Sequence, residues 1–238
     1  MELHLYTTMI HYVENFHNRF VQIYVLVWIY RPYTRKYNTT MISHDLKFIF
    51  IHIPKTAGNS LTLFLKFYLS NRTLQHENPM GPQDGMTVFC EKNNQGIKHE
   101  SIAYYINQYG DSIKDYVWFT IVRNPYDRLL SLYFFTKGKD NAVFIRDEFV
   151  SFIQNDENHQ WKYIEYNGKL ACRIVHYENM LEELKEIPCL QRMDFSHYPQ
   201  INQSMNSKLD YKTLLDDDVK DLIYKKYRMD FDLFGYEH

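Results

Sequence analysis

The residues of this sequence that are best suited to bind an anion form one short segment: Pro54, Lys55, Thr56, Ala57, Gly58, Asn59 and Ser60. Lys55 supplies a mobile positive charge, and Gly58 allows the backbone to approach a ligand closely. The hydroxyl and amide side chains of the segment add polar contacts. Together, these residue types suit the binding of an anion.

The anion-binding segment lies between a predicted strand and a predicted helix. Residues 48–53 are rich in apolar and β-branched side chains, which predicts a buried strand. Leu61, Phe64, Leu65 and Tyr68 recur at the spacing of one helix face. Because a helix N-terminus offers unpaired backbone N–H groups and the positive end of the helix dipole, it favours a bound anion.

A second strand and helix are predicted further along the chain. Residues 116–122 form another apolar, β-rich run, which indicates a second buried strand. Asn124 occupies the position of a helix N-cap, and Pro125 follows at the first helical position. Arg123 therefore lies at the carboxyl end of the strand, and Ser131 lies about two turns into the helix.

The two segments resemble the nucleotide-binding elements of sulfotransferases. The order P-K-T-x-G-x-S after a strand is similar to the loop that binds the 5′-phosphosulfate of 3′-phosphoadenosine-5′-phosphosulfate (PAPS). The pattern V-R-N-P-x-D-R-L-x-S is similar to the element that binds the 3′-phosphate of this donor. The resemblance spans residues 45–236, and it implies that residues 54–60, Arg123 and Ser131 hold PAPS. Arginine suits this role because its planar guanidinium matches phosphate oxygens.

The same resemblance implies roles for two further residues. His99, in the segment K-H-E-S-I, lies where carbohydrate-type sulfotransferases carry a histidine that acts as the base. The segment at 197–204 resembles a family segment near the nucleotide, which implies that Asn202 contacts the donor. For His99, a solvated surface histidine is the alternative. The competing candidates for the base are His52, His159 and His176.

Other interpretations of these segments stay open at this point. The first segment could be an ordinary strand-to-helix turn, and Arg123 could form a structural ion pair. The first segment also departs from a Walker A motif, because Lys55 precedes Gly58 and no glycine precedes the lysine in the loop. An ATP-dependent phosphotransferase is therefore the second hypothesis. A non-catalytic nucleotide-binding protein of the same fold is the third.

The composition narrows the class of protein. A formal net charge of −2 argues against a general nucleic-acid-binding protein, so we expect no nucleic-acid partner. The sequence contains three cysteines, Cys90, Cys172 and Cys189. They form neither a complete disulfide framework nor a metal-binding spacing. They suit a reducing compartment, which favours a cytoplasmic location. We expect no metal cofactor, since sulfuryl transfer of this type needs none.

The N-terminal part of the chain is predicted to be an extension, residues 1–45, that precedes a sulfotransferase domain of residues 46–238. Its apolar run, residues 20–30, is shorter than the ~20 residues that a membrane-spanning helix needs. It is predicted to pack on the domain as a helix or strand. Membrane association through this run is the alternative. Residues 33–44 are predicted to be a linker.

The alternation of strands and helices predicts an α/β fold, with three α/β/α layers and a mostly parallel central sheet. The resemblance to sulfotransferases implies that the loop at residues 54–60 is a P-loop-like phosphosulfate loop. Further predicted elements are a strand within 86–90, helices at 144–153 and 160–166, a strand at 170–175 and a last helix beginning at 216–218. The resemblance implies a reaction that moves a sulfuryl group from PAPS to an acceptor hydroxyl, and we expect a neutral or short glycan as the acceptor. The sequence leaves the oligomeric state open.

Overall fold

The computed structural model describes residues 41–44, 46–65, 87–89, 99–138, 143–198 and 211–238. All of them belong to one compact unit, residues 39–238. The predictions for residues 1–40, including the apolar run at 20–30, lie outside the described residues. Among the described helices, none is both long enough and apolar enough to cross a membrane.

The strands are β1 (Met41–Ser43), β2 (Phe48–Ile51), β3 (Thr87–Phe89), β4 (Val117–Val122), β5 (Glu165–Tyr166), β6 (Lys169–Leu170) and β7 (Arg173–His176). The helices are α1, described over residues 58–65, α2 (Ile102–Tyr109), α3 (Pro125–Thr136), α4 (Arg146–Asn155), α5 (Met180–Lys185), α6 (Tyr211–Leu214) and α7 (Asp217–Phe234). Single 3₁₀ turns occur at Gly110–Ile113, Trp161–Tyr163, Tyr177–Asn179 and Phe195–His197.

The described strands form a central sheet in the order β3-β1-β2-β4-β7. β2 pairs parallel with β4, and β4 pairs parallel with β7. β1 pairs antiparallel with both β2 and β3, so it runs against the other four strands of this sheet. The predicted α/β class with a mostly parallel sheet is therefore confirmed, with β1 making the sheet mixed.

Helices cover both faces of this sheet, and the alternation of side chains along β2 explains why. Phe48 and Phe50 point to one face, where they pack with α1 and α5. Ile49 and Ile51 point to the other face, where they pack with α2. Successive side chains of a strand alternate between faces, so a strand that is apolar at every position needs cover on both sides.

A separate apolar cluster holds α3 against α4 and α7, and aromatic rings supply much of its volume. The ring centroids of Tyr133 on α3 and Phe149 on α4 are 5.2 Å apart. Tyr126 on α3 and Phe231 on α7 are 5.0 Å apart. All four side chains are buried. The helix that carries Ser131 is therefore fixed on two sides.

Side chains cap the first turns of α3 and α7, and the cap on α3 is the predicted Asn124. Asn124 Oδ1 accepts a hydrogen bond from the backbone N–H of Tyr126 at 2.9 Å, and Pro125 is the first residue of α3. Asp216 Oδ1 accepts from the backbone N–H of Val219 at 2.9 Å at the start of α7. Such caps satisfy N–H groups that have no partner within the helix.

The predicted helix at 160–166 is wrong, and the predicted strand at 170–175 is confirmed only in part. In place of a helix at 160–166 there is a single 3₁₀ turn, followed by the hairpin of β5 and β6. Asn167 and Gly168 both adopt positive φ, at 53° and 77°. A two-residue hairpin turn of type I′ needs this at both positions, and Asn-Gly is its preferred sequence. The predicted strand at 170–175 occurs in two pieces, with Leu170 in β6 and residues 173–175 in β7.

The predicted linker at 33–44 is wrong over Met41–Ser43, because these residues form β1. This short strand lies between β2 and β3, and Ile42 is fully buried. The strand predicted within 86–90 is confirmed as β3, and the helix predicted at 144–153 is confirmed as α4 with shifted ends.

Candidate active site

The two predicted anion-binding segments meet at one edge of the sheet. β2 and β4 are parallel neighbours in a register that pairs Ile51 with Thr120. The segments that follow the two strands therefore leave the sheet side by side. Arg123 Nη1 contacts the backbone oxygen of Lys55 at 3.4 Å, which joins the two segments directly. β7 ends at the same edge, since Val122 pairs with His176.

The loop after β2 has a backbone that non-glycine residues rarely adopt. Lys55 and Ala57 have φ of 69° and 67°, in the left-handed region. Thr56 between them is fully buried, and its Oγ1 donates to the backbone oxygen of Ile53 at 2.9 Å. Residues held in such conformations carry about 1–3 kcal/mol of strain each, and they cluster at ligand-binding sites.

The end of this loop is the beginning of α1. The backbone N–H groups of Ser60 and Leu61 donate to Ala57 O at 2.9 and 3.2 Å. Ser60 is buried and Asn59 is exposed, while Pro54 and Lys55 are half-buried. The N–H groups in the first turn of α1 lie beside Lys55 in the chain. This arrangement can bind an anion through the helix N-terminus and a lysine charge together.

Gly58 is required by close packing against His52. A Cβ atom on residue 58 would lie 2.1 Å from His52 Cδ2 and 2.3 Å from His52 Nε2. The His52 ring is buried and lies 5.8 Å from the ring of Phe50, centroid to centroid, in a stacked arrangement. The glycine therefore lets the loop rest directly on the imidazole.

His99 lies next to this loop, with its ring orientation fixed by the backbone of residue 52. Its Nδ1 is 2.7 Å from the backbone oxygen of His52. A carbonyl oxygen only accepts hydrogen bonds, so Nδ1 carries the proton in the neutral ring and Nε2 is the basic nitrogen. The His99 side chain is half-buried. A general base needs this kind of oriented, neutral imidazole.

The competing histidines are held in other ways. His176 Nε2 lies 3.0 Å from Phe234 O, and its Nδ1 lies 3.1 Å from a carboxylate oxygen of Glu183. The ring of His159 packs against Tyr227, and burial lowers the pKa of its imidazole, followed by the effect of Lys162. His52 lies beneath Gly58, one residue beyond the end of β2, rather than inside the strand as predicted.

The guanidinium of Arg123 is positioned to accept an anionic partner. Its Cζ lies 4.4 Å from the centroid of the Tyr177 ring. Its Nε is shielded from solvent and has no hydrogen-bond partner among the described residues. An unpaired buried donor costs about 1–3 kcal/mol, and a charged one costs more. An oxygen of a phosphate group would satisfy it, so the residues present fit a bound phosphate group.

Lys55 lies over the helix that carries Ser131. Its Nζ is 4.4 Å from the centroid of the Phe135 ring, and Phe135 is 51% exposed. Ser131 is half-buried one turn before Phe135 on α3, so the side chains of Ser131 and Phe135 share one face of this helix. The Lys55 side chain therefore reaches from the loop after β2 to α3, which belongs to the second predicted segment.

Arg128 was missed as a site residue, although it belongs to the second motif. Its side chain is fully buried, and Nε donates to Pro54 O at 3.0 Å while Nη1 donates to Asn158 O at 2.7 Å. Burial lowers the pKa of this guanidinium, and Asp230 and then Asp156 oppose that effect. The second arginine of V-R-N-P-x-D-R was the available signal in the sequence.

Asn202, predicted to contact the donor, lies outside the described residues. Within the described residues, no group of three or more His, Cys, Asp or Glu side chains is arranged to hold a metal ion.

Comparison with known protein families matches residues 38–237 to the sulfotransferase family. The chain belongs to this family. The match begins before β1 and ends within the last residues of the chain, so it covers every described strand and helix. Family membership implies a transferase that moves sulfuryl groups. Searches of curated proteins and of solved structures find no match to this sulfotransferase.

We expect Gly58→Ala to destabilise the sulfotransferase by about 1–3 kcal/mol, because the added methyl group overlaps the His52 ring. Thermal or denaturant unfolding measures this loss. In a His52→Ala background the same Gly58→Ala substitution should cost less stability than in the wild type, since the overlapping ring is gone. Equal stability of Gly58→Ala and the wild type would contradict this account of the glycine.

Proposed function

We propose that this sulfotransferase transfers a sulfuryl group from PAPS to a hydroxyl group of an acceptor. The observation that carries the proposal is the direct contact between the two phosphate-binding segments, through Arg123 Nη1 and Lys55 O. One nucleotide with a phosphate at each end could therefore reach both segments. The helices on both faces of the sheet support a three-layer α/β/α fold, and the loop before α1 is proposed to act as a P-loop-like phosphosulfate loop.

The residues divide between the two ends of the donor. The loop residues 54–60 would hold the 5′-phosphosulfate, with the N–H groups at the start of α1 facing it. Arg123 would hold the 3′-phosphate together with Ser131, and its solvent-shielded Nε is the donor that lacks a partner among the described residues. Asn202 is proposed to contact the nucleotide as well. Holding both ends of a substrate orients it for reaction.

The proposed mechanism assigns one task to each polar group. PAPS supplies the sulfuryl group and a phosphate leaving group. His99 Nε2 would take the proton from the acceptor hydroxyl, which is otherwise a poor nucleophile. Lys55 and the N–H groups of residues 58 and 59 would stabilise the negative charge that grows on the leaving oxygen, since the Ser60 N–H donates to Ala57 O. The Nδ1–H group of His99 keeps its hydrogen bond to the backbone oxygen of His52 during this transfer.

The acceptor is proposed to be a carbohydrate, and a neutral or short glycan in particular. The segment around His99 is similar to that of carbohydrate-type sulfotransferases. A long acidic glycan would call for an extended basic groove. The net charge of −2 gives no indication of such a groove. A cytoplasmic location, with membrane association through residues 20–30 as the alternative, stays a prediction.

Arg123→Ala should weaken the binding of 3′-phosphoadenosine-5′-phosphate by about 1.5–3 kcal/mol, the range for a charged hydrogen bond. The loss should be much smaller for adenosine-5′-phosphate, which has no 3′-phosphate. Isothermal titration calorimetry measures both affinities. Arg228→Ala is the matched control, because Arg228 is an exposed arginine on α7 that pairs with Asp232.

Equal losses for the two ligands in Arg123→Ala would reject the assignment of the 3′-phosphate to this residue. ATP is the third ligand in the same titration. Tighter binding of ATP than of 3′-phosphoadenosine-5′-phosphate by the wild type would favour a phosphotransferase over a sulfotransferase that uses PAPS.

Lys55→Ala should lower kcat by about 10²–10³-fold while it changes donor binding less, because charge on the leaving oxygen grows in the transition state. Turnover with labelled PAPS at saturating donor measures kcat. Lys185→Ala, which removes an exposed lysine paired with Glu182, serves as the control. A loss of affinity with kcat intact would show that Lys55 only binds the ground state.

His99→Ala should lower turnover by about 10²–10⁴-fold, the usual range for a positioned base, with donor binding nearly unchanged. The wild-type rate should rise with pH through an ionisation near neutrality, where histidine ordinarily titrates, because only the neutral ring accepts a proton. The variant should lose this part of the profile. His238→Ala is the control, since His238 is exposed near the C-terminus and pairs with Asp221. An unchanged profile in His99→Ala would mean that another group is the base.

A further inference from the structure

The side chain of Gln160 forms hydrogen bonds with both polar backbone groups of Arg123. Gln160 Oε1 accepts from the Arg123 backbone N–H at 2.9 Å, and Gln160 Nε2 donates to the Arg123 backbone oxygen at 2.8 Å. Gln160 is fully buried. Arg123 is the first residue beyond β4, so the carboxamide continues the hydrogen bonding of the sheet by one residue.

These two hydrogen bonds need a side chain that carries a donor and an acceptor next to each other at its end. A carboxamide has an N–H₂ donor and a carbonyl acceptor side by side, which matches the N–H and C=O of one residue. An apolar side chain of the same length would leave both backbone groups of Arg123 without these partners. Buried backbone groups are nearly always paired, and an unpaired one is unfavourable.

Gln160 is itself fixed by a carboxylate from the far end of the chain. Its backbone N–H donates to Asp230 Oδ2 at 2.9 Å, and the backbone N–H of Trp161 donates to Asp230 Oδ1 at 2.9 Å. Asp230 is fully buried on α7, in the turn that follows a non-helical residue at Tyr227. A buried carboxylate is unfavourable unless it is hydrogen-bonded, and here both of its oxygens are.

The turn between α4 and β5, which carries Gln160, also supports the loop after β2. Asn158 O accepts from Arg128 Nη1, and Arg128 Nε donates to Pro54 O. The turn between α4 and β5 therefore contacts the second segment directly, through Gln160 and Asn158, and reaches the first segment through the Arg128 side chain. The rigid placement of Arg123 follows from this turn rather than from β4 alone.

We propose that Gln160 is a positioning residue for Arg123, which aims the guanidinium at the 3′-phosphate of the donor. This inference rests on the proposed function. With the backbone fixed at both its N–H and its C=O, the Arg123 side chain leaves the chain in one direction. The Tyr177 ring and the contact to Lys55 O then hold its guanidinium.

The test compares two ligands that differ only in the 3′-phosphate. Gln160→Met keeps the length of the side chain and removes both hydrogen bonds. We expect the ratio of Kd for adenosine-5′-phosphate to Kd for 3′-phosphoadenosine-5′-phosphate to fall at least about tenfold, the size of one charged hydrogen bond. Gln154→Met is the matched control, because Gln154 is exposed on α4, and it should keep the wild-type ratio.

A double-mutant cycle separates positioning from general support. If Gln160 acts through Arg123, Gln160→Met should leave the ratio unchanged in an Arg123→Ala background. Should Gln160→Met fail to fold, Gln160→Glu keeps an acceptor for the Arg123 N–H and replaces the donor by a second oxygen. It should lower the same ratio.

The outcomes distinguish this proposal from the proposed function. If the wild type binds both ligands equally, the donor assignment is overturned and this proposal falls with it. If the wild type discriminates and the Gln160 variants keep the full ratio, only the positioning role is overturned. An equal weakening of both ligands would show a structural role without effect on Arg123, which also overturns it.

Discussion

The parallel pairing of β2 with β4 is the constraint on which the rest of the site depends. In an antiparallel pair the two carboxyl ends would lie at opposite edges of the sheet, and the loop and Arg123 could not meet. Parallel strands place both ends together, and ligands of open α/β sheets bind there. Thr120 Oγ1 donates to Ile51 O at 2.7 Å and reinforces this pairing at the buried end. The contact between Arg123 and Lys55 O is a direct result.

Behind this edge, the protein buries charge rather than apolar surface alone. Arg128 and Asp230 are both fully buried, and Asp156 is nearly so. Burial disfavours the charged form of each group, which lowers the pKa of Arg128 and raises that of Asp230. Their hydrogen bonds go mostly to backbone groups of the loop and of the turn before β5. The charges therefore fix the backbone of the site, where apolar packing could set only an approximate position.

The surface of the site has a different character, since its cations rest on aromatic rings. Lys55 lies over Phe135 and Arg123 lies over Tyr177, each at 4.4 Å from the ring centroid. Cation–π contacts at exposed sites contribute about 0.5–1 kcal/mol. Such contacts are weak enough to be exchanged for an anion, which forms stronger, charge-assisted hydrogen bonds. The buried charged groups therefore hold the backbone of the site, while the cation–π contacts of the Lys55 and Arg123 side chains can be exchanged for contacts with an anion.

The sequence by itself determined the elements and the local chemistry of the two segments. The apolar runs predicted β2 and β4, Asn124 and Pro125 predicted the start of α3, and the alternation of strands and helices predicted the α/β class. These features depend on neighbouring residues, so a reading of the chain in short windows can find them. The Asn167–Gly168 turn signal is equally local, and it marks a hairpin in the stretch where a helix at 160–166 was predicted.

The tertiary structure decided which residues hold those segments in place. Gln160 contacts Arg123 across 37 positions, Asp230 contacts Gln160 across 70, and Arg128 contacts Pro54 across 74. No periodicity links residues so far apart. A buried glutamine, arginine or aspartate also looks like a surface residue in composition, because such side chains are usually exposed. Their roles follow only from the burial and hydrogen bonding that folding imposes on backbone groups from distant parts of the chain.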